Sequence, residues 1–304
     1  MAGNAINENN KLTPLQKSEI LMEALPYIQE FYGKTVVVKF GGHAMTDPVL
    51  EEMVLKDVIL MKLIGMHPVL VHGGGPVIDE WLGKLDIEAS FVDGLRVTDQ
   101  PTMEVVDMVL SGMINKAIVS RMQRLGGLAV GVCGKDAGLF YANRITEPKD
   151  LGLVGEIFRV NPDIIHSLIN GGYIPVVSQI SMGVNGETLN VNSDYAAGAL
   201  GGALKAYKLV LLTDVEGIYI GNSVNGSTVQ TLASTLNANE IPKLITDGVI
   251  SGGMIPKAEC CLDALKNGVE NVHIINGTKP HSLLLEIFTK EGIGTLVKQE
   301  EKND

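Results

Sequence analysis

Thr35-Val36-Val37-Val38-Lys39-Phe40-Gly41-Gly42 joins a β-branched run to a lysine and a pair of glycines. β-Branched side chains suit a pleated strand. A run that is apolar without alternation belongs to a strand covered on both faces. Glycines at its end let backbone N–H groups approach an anion closely, and the lysine adds a full charge. A second loop, Val69-Leu70-Val71-His72-Gly73-Gly74-Gly75-Pro76, runs from a strand into a helix start, whose dipole favours negative charge. A third, Ser251-Gly252-Gly253-Met254-Ile255-Pro256-Lys257, carries the second lysine. Three such loops point to phosphate handling.

Working outward, the elements alternate. A strand at 35–40 leads to a helix from Pro48 to Ile64, and a strand at 68–71 to a helix from Pro76. A long helical pattern runs from Pro101 to Leu125, followed by a strand at 128–133, short strands with turns over 138–160, and a helix at 161–170. Then come a strand at 173–178, a helix at Ser193–Ala203, a strand at 207–212, helices near 239–247 and 255–267, a strand at 271–275 and a helix at 280–289. This pattern predicts the α/β class: an αβα sandwich around a mainly parallel sheet, with ligands at the carboxyl ends of the strands. Before the first strand, Thr13-Pro14-Leu15-Gln16 reads as a helix start with a capping box, and Pro26 should kink or break that helix. Residues 221–228 read as an exposed turn or loop.

The 304 residues suffice for one large or two moderate domains, and 45% hydrophobic with 19% charged residues is an ordinary globular balance. A net charge of −11 argues against a nucleic-acid surface, so an anionic substrate needs local positive charge. Cys133, Cys260 and Cys261 are odd in number and two are adjacent, which implies no disulfide framework and a reducing compartment. Met1–Asn10 lacks the basic-then-apolar order of a signal peptide, and no stretch has the apolar length of a membrane span. The expectation is a cytoplasmic protein that meets no membrane.

Which phosphate chemistry these loops serve is narrowed by what is missing. No G-x-G-x-x-G follows the first strand, and the P-loop spacing G-x-x-x-x-G-K-[ST] is absent. His72-Gly73-Gly74-Gly75 is like an esterase oxyanion loop, yet no G-x-S-x-G elbow supplies a serine. The order of motifs is the informative signal. Lys39-Phe-Gly-Gly, His72-Gly-Gly-Gly-Pro76, Gly94-Leu-Arg96-Val-Thr-Asp99, Asn190-Val-Asn-Ser-Asp194, Leu211-Leu-Thr-Asp214-Val-Glu-Gly217 and Gly252-Gly-Met-Ile-Pro-Lys257 together resemble the amino-acid kinase family, in its acetylglutamate branch. The resemblance spans Leu21 to Lys298.

That resemblance implies phosphoryl transfer from ATP, with Mg²⁺, to the side-chain carboxylate of N-acetyl-L-glutamate in arginine biosynthesis. It implies an N-terminal helix over 1–34, an acetylglutamate lobe over 35–205 and a nucleotide lobe over 206–304. An ionised carboxylate is already nucleophilic, so no general base is needed, and catalysis reduces to positioning and charge stabilisation. By resemblance, Lys39 and Lys257 flank the transferring group and Asp194 holds both lysines. Two close lysines without a counter-charge would repel. Arg96 binds the substrate α-carboxylate, beside Gly74, Gly75 and Leu95, and Asn190 and Asn192 complete the acceptor pocket. Gly41 and Gly42 donate to phosphates, and Thr213, Asp214 and Gly217 wall the adenine–ribose pocket. Plainer readings stand beside these. Lys39 and Lys257 could be solvated, Asp194 a helix cap, and Arg96 ion-paired with Asp93 or Asp99. His43 and His72 lack a carboxylate-rich metal spacing, so Mg²⁺ held mainly by the phosphates is expected, with no protein metal site.

Some members of the family are hexamers inhibited by arginine and carry an extra N-terminal helix. Residues 13–32, including Tyr27, resemble that helix. Lys208, His273 and Glu286 resemble the effector site, Glu286 facing the arginine guanidinium. The resemblance therefore implies feedback inhibition by L-arginine, a homohexamer built through the helix, and a PII-type signalling protein as a candidate regulator. Three departures from the family pattern are His43 after the glycine pair, Asn276-Gly277-Thr278 for a more usual Asp-Gly-Arg, and a longer 221–228 segment. The competing expectations are a carboxylate kinase for another N-acylated amino acid and a non-catalytic arginine-sensing module.

Overall fold

A computed structural model describes residues 12–92, 94–224, 227–289 and 292–300, with all side chains among them except those of His43 and residues 222–229. Met1–Asn10, Asp93, residues 225–226 and the His43 side chain therefore lie outside the described residues.

Eight strands form one sheet, in the order Thr235–Asn237, Thr295–Lys298, Asn271–Asn276, Lys208–Thr213, Thr35–Phe40, His67–His72, Ile174–Ser178 and Ala129–Cys133. Neighbours are parallel, except that Thr295–Lys298 runs antiparallel to Asn271–Asn276. Period-2 geometry then divides the apolar runs between two cores. Val37, Val69, Val71, Leu209 and Leu211 enter one face, while Val36, Val38, Leu70, Val210 and Leu212 enter the other. All ten are fully buried, and each contributes roughly 1.5–3 kcal/mol on leaving water. Both-face burial is why these strands read as continuous apolar runs.

The 138–160 region gives strands Phe140–Arg144 and Gly155–Val160, which join Ser181–Gly183 and Thr188–Leu189 in a four-stranded sheet. Three expectations are corrected. Within the 221–228 segment, residues 221–224 and 227–228 belong to two paired antiparallel strands, Tyr219–Val224 and Ser227–Leu232, where cross-strand pairing overrides their turn-rich composition. The strands Thr235–Asn237 and Thr295–Lys298 were not anticipated, being three and four residues long. The helix expected from 161 begins at Asp163, with the Asn161 Oδ1 accepting from the Asp163 N–H at 3.3 Å.

Other local signals act as the chemistry requires. Thr13 and Gln16 close the capping box of Pro14–Glu23, and the chain breaks at Ala24 before Leu25–Phe31, whose second residue is Pro26. Pro14–Glu23 buries none of its residues, and Leu15, Leu21 and Met22 are exposed. The helical run from Gln100 to Arg124 is continuous but not uniform: Met108–Ile114 is π-helical between two α-helical parts. Among the described residues, no helix is long and apolar enough to cross a membrane.

Candidate active site

The carboxyl ends of the central strands bring the glycine loops together. Lys39 lies one residue from the end of Thr35–Phe40, in register with Leu211 and Val71 on either side. It is buried to 7% exposure, which excludes a solvated strand-end lysine. Its ammonium reaches the Asp194 Oδ1 at 3.0 Å, and Lys257 Nζ reaches the Oδ2 at 2.7 Å. Lys257 sits in the first turn of Met254–Lys266 and is only partly exposed. One carboxylate thus joins two cations that lie 218 positions apart in sequence (257 − 39).

Asp194 does not cap its helix. Asn192 does so, its Oδ1 accepting from the Asp194 N–H at 2.8 Å, and this leaves the Asp194 side chain in the first turn for the lysines. Burial alone would raise its carboxyl, but the Lys39 and Lys257 charges and their hydrogen bonds outweigh that and hold it at about 2. The carboxylate stays ionised at any ordinary pH.

The glycines have steric reasons to be where they are. Gly42 adopts φ +66°, and a Cβ there would lie 2.7 Å from the Asp214 Oδ1. A Cβ on Gly41 would meet Lys39 Nζ at 2.7 Å, and one on Gly74 would collide with Ile114 and Leu110 of the π-helical stretch. The Gly75–Lys84 helix begins beside them, with Pro76 in its first turn. Thr213 ends its strand and its carbonyl accepts from the Gly277 N–H at 2.8 Å. Asp214 is therefore gathered with Gly42, whereas Gly217 packs against Thr295 and Leu232.

Arg96 lies on a two-residue strand, Leu95–Arg96, paired with Phe91–Val92. It is buried, yet its ion pair is with neither expected acid. Asp99 caps the next helix through the Thr102 N–H, and Asp93 is outside the described residues. The partner is Asp79, whose Oδ1 accepts from Nη1 at 2.6 Å, while Nη2 reaches the Gly75 carbonyl at 3.4 Å. The guanidinium also stacks 4.6 Å from the Phe91 ring centroid. Asp79 was missed, although it stands one helical turn after Gly75. Asn190 donates from Nδ2 to the Thr98 Oγ1 at 3.3 Å. A cavity of about 700 Å³ is lined by Leu95, Val154, Val191, Asn192 and Tyr195, but by neither lysine. It holds the Leu95–Asn192 part of the expected acceptor pocket and stops short of the charged end.

The candidate effector residues form a separate group. The Glu286 carboxylate accepts from the Ile293 N–H at 2.7 Å and lies 2.5 Å from His273 Nδ1. Burial pushes Glu286 up, but the His273 contact, that N–H and Lys208 together leave it below its ordinary value. Burial lowers His273, so a neutral imidazole donates to a carboxylate. Burial also lowers Lys208, whose ammonium stands 5.0 Å from the Phe31 ring centroid. Tyr27 meets Phe288, on the Glu286 helix, edge to face at 6.3 Å.

Paired lysines on one buried aspartate, at the mouth of a parallel sheet lined with glycine loops, form a site suited to phosphate, and the chain's relatives identify it as a kinase. The amino acid kinase family model matches residues 34–276, and the chain belongs to that family. It is 57% identical over 297 residues to the acetylglutamate kinase of Pelotomaculum thermopropionicum, covering 94% of this chain and 99% of that one. The acetylglutamate kinase of Heliobacterium modesticaldum is 53% identical over 296 residues, with 94% and 99% covered. Among solved structures, N-acetylglutamate synthase from Neisseria gonorrhoeae, complexed with coenzyme A and N-acetyl-glutamate, superimposes with a TM-score of 0.80 at 26% identity. That match covers 93% of this chain and spans 63% of the synthase chain.

Proposed function

We propose that the chain transfers the γ-phosphoryl group of ATP to the side-chain carboxylate of N-acetyl-L-glutamate, giving N-acetyl-L-glutamyl 5-phosphate for arginine biosynthesis. A carboxylate oxygen attacks the γ-phosphorus, and the bond to the β–γ bridging oxygen breaks with its electron pair leaving on ADP. The observation that carries this reading is the Lys39–Asp194–Lys257 clamp, with ion pairs of 3.0 and 2.7 Å. It sets two cations where charge spreads over a loose transition state, and no residue is needed to remove a proton. Lys39 acts from the acceptor lobe, residues 35–205, and Lys257 from the nucleotide lobe, residues 206–304. Gly41, Gly42 and Gly74 direct backbone N–H groups at phosphate oxygens.

Arg96 receives the α-carboxylate, already held by Asp79 on one side, while Gly75, Leu95, Asn190 and Asn192 border the substrate. Thr213, Asp214 and Gly217 border the nucleotide. Among the described residues no group of three His, Cys, Asp or Glu side chains could cage a metal. Lysines and glycine amides would hold the phosphates themselves and leave a Mg²⁺ ion to be carried on phosphate oxygens, with Asp214 beside Gly42 as the nearby acid. Such an ion would supply neutralisation of the phosphate charge.

L-Arginine is the proposed inhibitor. Glu286 is a buried carboxylate able to face a guanidinium, and Lys208 can face a carboxylate. Tyr27 ties the N-terminal helices to that helix, and the exposed apolar stripe of Pro14–Glu23 is the surface proposed to assemble a cytoplasmic homohexamer. A PII-type regulator belongs to the same proposal as an additional partner. The test is ATP turnover with acetylglutamate, the acyl phosphate trapped as its hydroxamate, run with and without arginine. Turnover that prefers N-acetyl-aminoadipate, or none at all, refutes the substrate reading. Turnover unaffected by millimolar arginine refutes the regulatory one.

A further inference from the structure

The phosphate-loop glycines are backed by a buried polar connection that the clamp does not use. Asn115 is 1% exposed and stands where the π-helical stretch Met108–Ile114 returns to α-helix. Its Nδ2 lies 3.2 Å from His72 Nε2, 3.0 Å from the Val176 carbonyl and 3.3 Å from the Val132 carbonyl. One amide thereby links three neighbouring strands near their carboxyl ends. Lys116 Nζ donates to the Asn115 Oδ1 at 3.0 Å, and Gly131 leaves the room that this oxygen fills.

His72 completes the connection. Its Nδ1 lies 2.9 Å from the Gly73 carbonyl oxygen, so Nδ1 carries the proton and Nε2 is an acceptor for one of the two Asn115 N–H groups, the Val176 and Val132 carbonyls sharing the other. Burial lowers its pKa to about 4, so the ring is neutral at physiological pH. The Gly73 N–H is in turn held by the Phe40 carbonyl at 2.9 Å. A trans peptide is planar, so anchoring the Gly73 carbonyl oxygen fixes the direction of the Gly74 N–H on the opposite side. The π-helical stretch adds a steric stop, since Leu110 and Ile114 close against Gly74. π-Bulges inside α-helices recur at functional sites.

We infer that Asn115 is a positioning residue, which through the His72 ring aims the Gly74 N–H at the transferring phosphoryl group. This rests on the reading of the chain as a carboxylate kinase. Removing a donor aimed at developing charge lowers kcat by about 10²–10³, and misaiming it forfeits part of that. Asn115→Asp keeps the size but turns the donor into an acceptor. It should lower kcat at least ~10-fold while KM for ATP stays within about threefold. Nitrogen-15 NMR of histidine-labelled protein supplies a readout that a packing role would not move. The unmutated enzyme should show His72 as the Nδ1–H tautomer, and Asn115→Asp should convert Nε2 to an N–H nitrogen.

An Nε2–H tautomer in the unmutated enzyme overturns the inference even if the variant fails to fold. A folded Asn115→Asp enzyme with unchanged kcat overturns it as well. An unmutated enzyme without acetylglutamate-dependent turnover overturns the kinase reading itself, so the two failures are distinguishable.

Discussion

Replacing Asp194 by Asn removes the one negative charge between Lys39 and Lys257 while keeping the side-chain shape. The cost follows from the depressed pKa. The carboxyl sits at about 2 against an ordinary 3.8. At 1.36 kcal/mol per unit, that depression is on the order of 2–3 kcal/mol of folding stability. Repulsion between the two ammonium groups is present with or without the carboxylate, so it is not added to this figure. For a chain of this length the loss corresponds to about 4 °C in Tm.

The sign with pH is fixed by the depressed pKa. The stabilisation is fully present above the unfolded-state value near 3.8 and disappears as pH falls toward 2. The Tm gap between parent and Asp194→Asn should therefore hold from pH 8 to 5 and close below pH 4. Comparing the two proteins at each pH cancels the other carboxylates. In the hydroxamate assay kcat should fall at least ~100-fold, because a cation displaced by an ångström costs that much. A variant with parental Tm at pH 7 and kcat within threefold would falsify the clamp.

Three further outcomes are expected. Lys39→Met and Lys257→Met should each lower kcat by about 10²–10³ with smaller changes in KM, as for lost transition-state charge stabilisation, and a pure KM effect would contradict that role. Arg96→Lys should raise KM for acetylglutamate by ~10–100-fold, since the ammonium cannot form the bidentate pair or stack on Phe91; an unchanged KM places the α-carboxylate elsewhere. Asp57 is buried and lies 2.6 Å from His281 Nδ1, and burial raises its carboxyl from 3.8 to about 6. A raised folded pKa favours the native state at low pH and withdraws that support as pH climbs through 6, on the order of 3 kcal/mol. Asp57→Asn should accordingly raise Tm by several degrees at pH 7.5, with the gain vanishing near pH 4. A Tm gain that persists at pH 4 points to packing instead.

The parallel sheet was legible because strands buried on both faces leave continuous apolar runs, as Val36–Val38 and Leu209–Leu212 do. Glycine loops were legible because close approach to charge or backbone admits nothing larger. What escaped notice depends on partners distant in sequence. Thr295–Lys298 is a strand because it pairs with Asn271–Asn276 on one side and Thr235–Asn237 on the other. The segment at 221–228 reads as a loop because its Gly, Asn and Ser content signals turns, whereas pairing of Tyr219–Val224 with Ser227–Leu232 decides the conformation of its described residues. Asp79 was hidden because nothing local marks a helical aspartate as the partner of an arginine 17 residues away. Nothing local marks Asn115 within the long helical pattern, because its partners His72, Val132 and Val176 are distant in sequence.

The clamp distance is set by packing as much as by charge. Asp194 and Lys257 stand on helices Ser193–Ala203 and Met254–Lys266, and the first of these carries Gly198, Gly201 and Gly202, all buried. Glycines inside a helix cost roughly 1 kcal/mol each against alanine, so their presence needs a return. A Cβ on Gly198 would sit 3.1 Å from Cys260 Sγ, and one on Gly202 would sit 2.6 Å from the Asn267 Cβ. Bare backbone on one helix thus lets the other lie directly against it. Cys260 then donates its S–H to the Asp194 carbonyl at 3.0 Å, at the level of the ion pair itself. Burial drives the Cys260 thiol well above its ordinary pKa, so it acts as a neutral donor that brings no charge beside the carboxylate. The small residues and the buried thiol hold the helix bearing the anion at a fixed separation from the helix bearing Lys257. Lys39 is fixed separately, by strands on both sides. The two cations are therefore carried by different elements, a strand and a helix, and Asp194 joins them.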